Sequence, residues 1–129
     1  MKISELATAS EVSAKTIRYY EQIGLISPAR RNDSGYRQYS DKDVTALIFI
    51  RRCRELNIGI DNIRQLLEAQ LNPQSSCRFV DEIIEQQLKR IQQKQTELAM
   101  LEKTLSSLAA SCNNHKVEDC SILHQLSSD

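Results

Sequence analysis

The chain has 129 residues and a mass of 14.7 kDa, enough for one ordinary domain or a small domain with an appendage. Seventeen basic and seventeen acidic side chains cancel to a net charge of +0, but residues 1–64 hold eleven basic against eight acidic groups, and residues 65–129 hold six against nine. Only the front half therefore suits a polyanion. Three Gly, two Pro and no Trp argue against a turn-rich β-sandwich or barrel. No apolar run nears the ~18 residues that cross a bilayer, and Met1-Lys2-Ile3-Ser4-Glu5 has no apolar signal core. A cytoplasmic, mostly helical chain without a membrane role is expected, its four cysteines present as thiols rather than disulfides.

Ser4 is the first capping candidate, opening a short helix that turns Leu6 and Ala7 inward and ends near Ser10. Ser13 opens a second helix from Ala14, stopped by Gly24. Two short helices joined by three or four residues fit a helix-turn-helix. At 100° per residue, Lys15, Arg18, Tyr19 and Gln22 of the second helix share one face, with Ile17, Tyr20 and Glu21 opposite. A cationic, hydrogen-bonding helix face of that size suits a DNA major groove. The neighbouring Tyr20 is counted with Lys15, Arg18 and Tyr19 among the expected DNA contacts.

Arg30-Arg31-Asn32-Asp33-Ser34-Gly35-Tyr36-Arg37-Gln38-Tyr39 has turn residues at its centre and alternating residues after Gly35, a hairpin pattern. Such a hairpin is a wing whose Arg31 and Arg37 lie along phosphates, with Tyr36 beside them. At least one of Tyr36 and Tyr39 is expected to fasten the wing to the helices. Ser40-Asp41-Lys42-Asp43 then has the S-x-x-D capping pattern of a third helix, which stops near Gly59. Cys53 on that helix reads as a small buried hydrophobe. A fourth helix begins near Asp61 and closes at Asn72-Pro73.

From Arg78 to Ser111 there is no Gly or Pro, and apolar residues recur at sevens: Ile84, Ile91, Leu98, Leu105. This is a coiled-coil seam. A lone helix of that length, about 50 Å, exposes its stripe, and a homodimer is the simplest cover. Extending the heptad outward reaches Cys77 at one end and Cys112 at the other. In an antiparallel pair, Cys77 of one copy lies beside Cys112 of the other; parallel pairing sets like beside like. After Cys112, a polar seven-residue loop containing His115 leads to Cys120 and a last amphipathic turn or two. Cys77 from the partner, Cys112 and Cys120 form an expected thiolate site, with His115 offering a nitrogen. Such donors select soft or borderline metals, among them Zn, Cd, Hg, Pb and Cu(I).

Ile3-Ser4-Glu5-Leu6-Ala7, Thr16-Ile17-Arg18-Tyr19-Tyr20-Glu21, Gly24-Leu25, Gly35-Tyr36-Arg37-Gln38-Tyr39 and Phe49-Ile50-Arg51 resemble the MerR family of metal-responsive transcriptional regulators. The resemblance implies DNA contacts at Arg18, Tyr19, Tyr36 and Arg37, loop ligands at Cys112 and Cys120, and RNA polymerase as the machinery served at the promoter. It also implies a mechanism in which the bound effector lets the dimer untwist an overlong promoter spacer. A Cys at position 77 marks the family's sensors of divalent ions, where monovalent copper, silver and gold sensors carry Ser. A +2 ion prefers higher coordination and a third thiolate.

The likeness is to the cadmium- and lead-responsive members. The adjacent loop cysteines of zinc-responsive relatives and the four-cysteine cluster of iron–sulfur relatives are both lacking.

The expected architecture is mainly α: a winged helix-turn-helix, a long antiparallel dimerisation helix, and a short C-terminal metal-binding loop with a terminal helical turn. The divisions fall at 1–70 for DNA binding, 71–77 for a linker, 78–111 for dimerisation and 112–129 for the metal loop and tail. The expected partners are double-stranded promoter DNA, a second copy and RNA polymerase, with Cd, Pb, Zn or Hg as effector. A Cu(I)-type sensor, a thiol redox sensor using Cys112 and Cys120, and a metal buffer with no DNA role are the alternatives. An enzyme is not expected, because no Ser/His/Asp grouping, phosphate loop or carboxylate pair is visible.

Overall fold

The computed structural model describes residues 1–35, 37–111 and 116–128, with residue 37 described by its backbone. Among the described residues, six α-helices and a two-stranded hairpin follow in order: α1 (Ile3–Ser10), α2 (Ala14–Gln22), β1 (Arg30–Arg31), β2 (Arg37–Gln38), α3 (Asp41–Glu55), α4 (Ile60–Gln70), α5 (Arg78–Ser111) and α6 (Ser121–Ser127). A 3-10 turn, Val117–Asp119, precedes α6. The mainly helical architecture with a helix-turn-helix and a long C-terminal helix is as expected. Contacts divide the chain into two units, Met1–Ile83 and Ile84–Asp129.

In the first unit, α1 packs on α2 and α3, and α3 on α4. Leu6, Ile17, Leu47, Ile50 and Ile63 are fully buried, one or two from each helix. Val12, in the tight turn between α1 and α2, and Ile58, between α3 and α4, close the gaps. Ile83, Phe79 and Val80 of the first turns of α5 join the same cluster.

Two helix boundaries differ from the sequence reading. Lys2, not Ser4, precedes α1, and the Glu5 carboxylate accepts the Lys2 backbone N–H at 3.4 Å. Ser4 lies inside the first turn, where its carbonyl accepts from Thr8 Oγ1. The stop after α3 is Asn57, at φ +60, and Gly59 instead precedes α4 with an ordinary φ of −70. Asn tolerates the left-handed region, so the turn came two residues before the glycine.

In the second unit, α5 runs to Ser111 as one uninterrupted helix. The Ser121 hydroxyl at the start of α6 donates to the Ser111 carbonyl at 2.7 Å, tying α6 to the end of α5. Along α5, Ile84, Leu88, Leu98, Leu101 and Leu105 are exposed, Leu105 at 65%. These apolar residues, interrupted around Gln87 and Lys94, form an unfilled packing surface in water.

Candidate nucleic-acid interface and thiol groups

Ser13 starts α2 by accepting the Thr16 N–H on its hydroxyl at 3.1 Å. The helix then rotates its residues as the 3.6-residue repeat requires. Ile17 and Tyr20 are buried, while Lys15, Arg18, Tyr19 and Gln22 are exposed on one outward face. The three-residue turn from Glu11 to Ser13 and the burial of Val12 in it hold this face away from the core.

Tyr20, counted among the expected DNA contacts, lies instead on the core side of α2. It is 7% exposed against 51% for Tyr19, although the two rings lie only 6.0 Å apart. Burial pushes its hydroxyl pKa up, partly offset by the positive charge of Arg54 and reinforced by Tyr19. Its ring belongs to the core, because 100° of helical rotation separates it from its neighbour.

The wing forms as the alternation indicated, with Arg30 opposite Gln38 and Arg31 opposite Arg37. Gly35 adopts φ +82 and donates its N–H to Asn32 O at 2.9 Å; the Asn32 side chain accepts from Ser34 N–H at 3.0 Å. Arg31 is exposed. Tyr36 and the side chain of Arg37 lie outside the described residues. Tyr39 is the fastening residue: it is 5% exposed, its hydroxyl donates to Glu21 Oε1 of α2, and its N–H donates to Met1 O at 2.9 Å. The base of the wing is thereby joined to the helix that carries the cationic face.

Two arginines without a role in the sequence reading hold the ends of the helix pair. Arg51 of α3 donates from Nε to Ser10 O at the end of α1, at 3.2 Å, and pairs with Glu55 at 2.8 Å. Arg64 of α4 donates from Nη2 to Ile23 O at 2.9 Å and from Nη1 to Gly24 O at 3.1 Å, at the end of α2. A cation at a helix C-terminus meets the negative end of its dipole and its unpaired carbonyls. Separations of 40 and 41 residues leave no local sequence pattern for such contacts.

Of the thiols, Cys53 is buried, and desolvation raises its pKa. Cys77 is exposed immediately before α5, and its carbonyl accepts from Asp81 N–H at 3.1 Å. Cys120 is half-buried at the residue preceding α6, where its carbonyl accepts from His124 N–H at 3.2 Å. Cys112 and His115 lie outside the described residues. Thiolate sulfur as a donor suits soft or borderline cations and not Mg or Ca. No helix among the described residues is long and apolar enough to cross a membrane.

Residues 1–70 match the model of the MerR HTH family regulatory proteins, and residues 44–108 match the one described as MerR, DNA binding. The heavy metal-dependent transcription regulator 2 of Rhizobium meliloti (strain 1021) is 37% identical over 126 residues, covering 98% of this chain and 86% of that protein. The transcriptional regulator CueR of Vibrio cholerae (strain ATCC 39541) is 35% identical over 126 residues, covering 98% and 91%. Among solved structures, the transcription regulator PbrR691 of Ralstonia metallidurans CH34, in complex with lead(II), is 33% identical with a TM-score of 0.88, covering 98% and 99% of the two chains. These relatives are regulators, not enzymes. Helix-turn-helix, wing and long helix agree in sequence and in fold along nearly the whole chain, and the protein belongs to the MerR family of helix-turn-helix transcriptional regulators.

Proposed function

We propose that this protein is a homodimeric, metal-gated activator of promoters, reading DNA through α2 and the wing and sensing a divalent soft ion near its C-terminus. The reading rests chiefly on the outward face of α2, where Lys15, Arg18, Tyr19 and Gln22 are exposed above a buried Ile17 and Tyr20. Phosphate contacts from Lys15, Arg18, Arg31 and Arg37 supply sequence-independent affinity, while Tyr19 and Tyr36 contribute closer contacts. The metal-dependent names of the relatives support the effector class.

The exposed leucine stripe of α5 supports a second copy as its cover. In the antiparallel arrangement, Cys77 of one copy joins Cys112 and Cys120 of the other, with His115 a fourth donor. A soft ion there supplies a centre that draws these thiolates together. Residues 1–70 then bind DNA, 71–77 connect, 78–111 dimerise and 112–129 hold the ion. The chain works in the cytoplasm, and RNA polymerase at the promoter reads the change. Because α5 contributes to both units, it is the element along which a change at the ion reaches the DNA-binding half. The presence of Cys77, a third thiolate, favours a +2 ion (Cd or Pb, then Zn or Hg).

A Cu(I)-type sensor is the second reading, favoured by the similarity to CueR. In vitro transcription from the protein's own promoter, titrated with each divalent ion and with Cu(I), separates the two. Cys112→Ser is expected to keep promoter binding and lose metal-dependent transcription, and Cys77→Ser is expected to lose the divalent response. Loss of DNA binding with retained induction in Cys112→Ser refutes this division of labour.

A further inference from the structure

Tyr19 and Gln22 sit in the last turns of α2, so the direction in which they point depends on where that end of the helix is held. Within α2 and the residues after it, the backbone closes in the ordinary way: Ile23 N–H donates to Tyr19 O at 3.0 Å, Gly24 N–H to Glu21 O at 3.1 Å and Leu25 N–H to Tyr20 O at 2.9 Å. Gly24, at φ +74, turns the chain away. The Ile23 and Gly24 carbonyls are the outermost acceptors of this turn, and both are taken by the one guanidinium of Arg64. A planar fork meeting two successive carbonyls fixes position and rotation together, which an ammonium on a flexible stem does not. Arg64 is itself half-buried on α4, a helix anchored by the fully buried Ile63 beside it.

We infer that Arg64 is a specificity-determining positioning residue, holding the recognition helix at the angle from which its exposed face meets base edges. The inference rests on the reading of α2 as the DNA-recognition helix. Contacts to phosphate tolerate a small rotation of α2, since a charge in a diffuse field has little angular demand, whereas hydrogen bonds to base edges do not tolerate it. Loss of Arg64 therefore costs discrimination between sequences more than it costs affinity for DNA as such. Arg51 provides the internal comparison, because it receives the end of α1 in a similar way and α1 carries none of the proposed contacts.

The test compares wild type, Arg64→Ala, Arg64→Lys and Arg51→Ala. Anisotropy measures binding to a duplex enriched by the wild-type protein from a randomised pool and to its scrambled counterpart, from about 50 to 300 mM salt. Hydrogen exchange follows residues 14–26 without DNA. Arg64→Ala is expected to lower the ratio of specific to non-specific affinity by about tenfold with an unchanged salt slope. It is also expected to speed exchange across residues 19–26. Arg64→Lys should recover only part of the ratio, and Arg51→Ala should keep the ratio while melting earlier. A uniform loss on both duplexes with a slope reduced by about one would make Arg64 a phosphate contact and overturn the inference. So would an unchanged ratio in Arg64→Ala. If the wild type shows no sequence preference, the DNA reading fails instead, and unchanged exchange at residues 19–26 in Arg64→Ala then refutes the tie to α2.

Discussion

Replacing Tyr39 by Phe isolates the joint between the wing and α2. The side chain is 5% exposed and its hydroxyl donates to the carboxylate of Glu21, so the substitution removes one hydrogen bond while the ring still packs. A bond to a charged acceptor contributes roughly 1.5–3 kcal/mol. Glu21 is only half-buried, and water replaces part of the lost contact, which brings the expected loss to about 1–1.5 kcal/mol. In a folded unit of this size that lowers the melting temperature by roughly 4–10 °C. Circular-dichroism melts of Tyr39→Phe, Glu21→Gln and the double variant form a thermodynamic cycle, with an expected coupling of about 1 kcal/mol. Promoter affinity should fall in the single variants as well, since the wing loses its brace. Strict additivity of the two substitutions would refute the reasoning, because it would mean that the hydroxyl and the carboxylate contribute independently.

Three further outcomes follow from the same geometry. Leu105→Asp, on the exposed stripe of α5, should shift the protein from dimer to monomer in sedimentation while leaving α1–α4 folded; an unaltered dimer places the interface elsewhere. Glu11 holds a left-handed φ of +59, which costs a non-glycine residue about 1 kcal/mol, so Glu11→Gly should raise the melting temperature despite losing a 3.7 Å pairing with Arg51 that contributes little at an exposed site. Burial raises the Cys53 pKa from its ordinary 9.0. The unfolded chain therefore loses that proton first, and stability should fall as the pH rises past 9.0, where the folded state still holds the thiol neutral. Chemical denaturation across the alkaline range should show this decline reduced in Cys53→Ala, and an identical slope in both proteins would discount the thiol.

Much of the chain obeys rules that act over three or four residues, and those parts are legible from residue order alone. The absence of Gly and Pro between Arg78 and Ser111 bounds α5, Ser13 and Ser40 start their helices where capping chemistry puts them, and Gly35 makes the wing turn. The outward set Lys15, Arg18, Tyr19 and Gln22 needed only a 100° step.

Tertiary packing decided what those rules leave open. The 100° step puts Tyr20 on the side of Ile17, but how deeply its ring is buried, at 7% exposed, was set only by the packing of α2 against the core. Asn57 and Gly59 both suit a left-handed stop, and it is Asn57 that takes it, at φ +60. The guanidinium of Arg64 reaches carbonyls 40 residues earlier, a pairing no periodicity encodes. Local propensity specifies which backbone shapes a segment adopts, whereas long-range polar contacts exist only once separate segments have been brought together by burial.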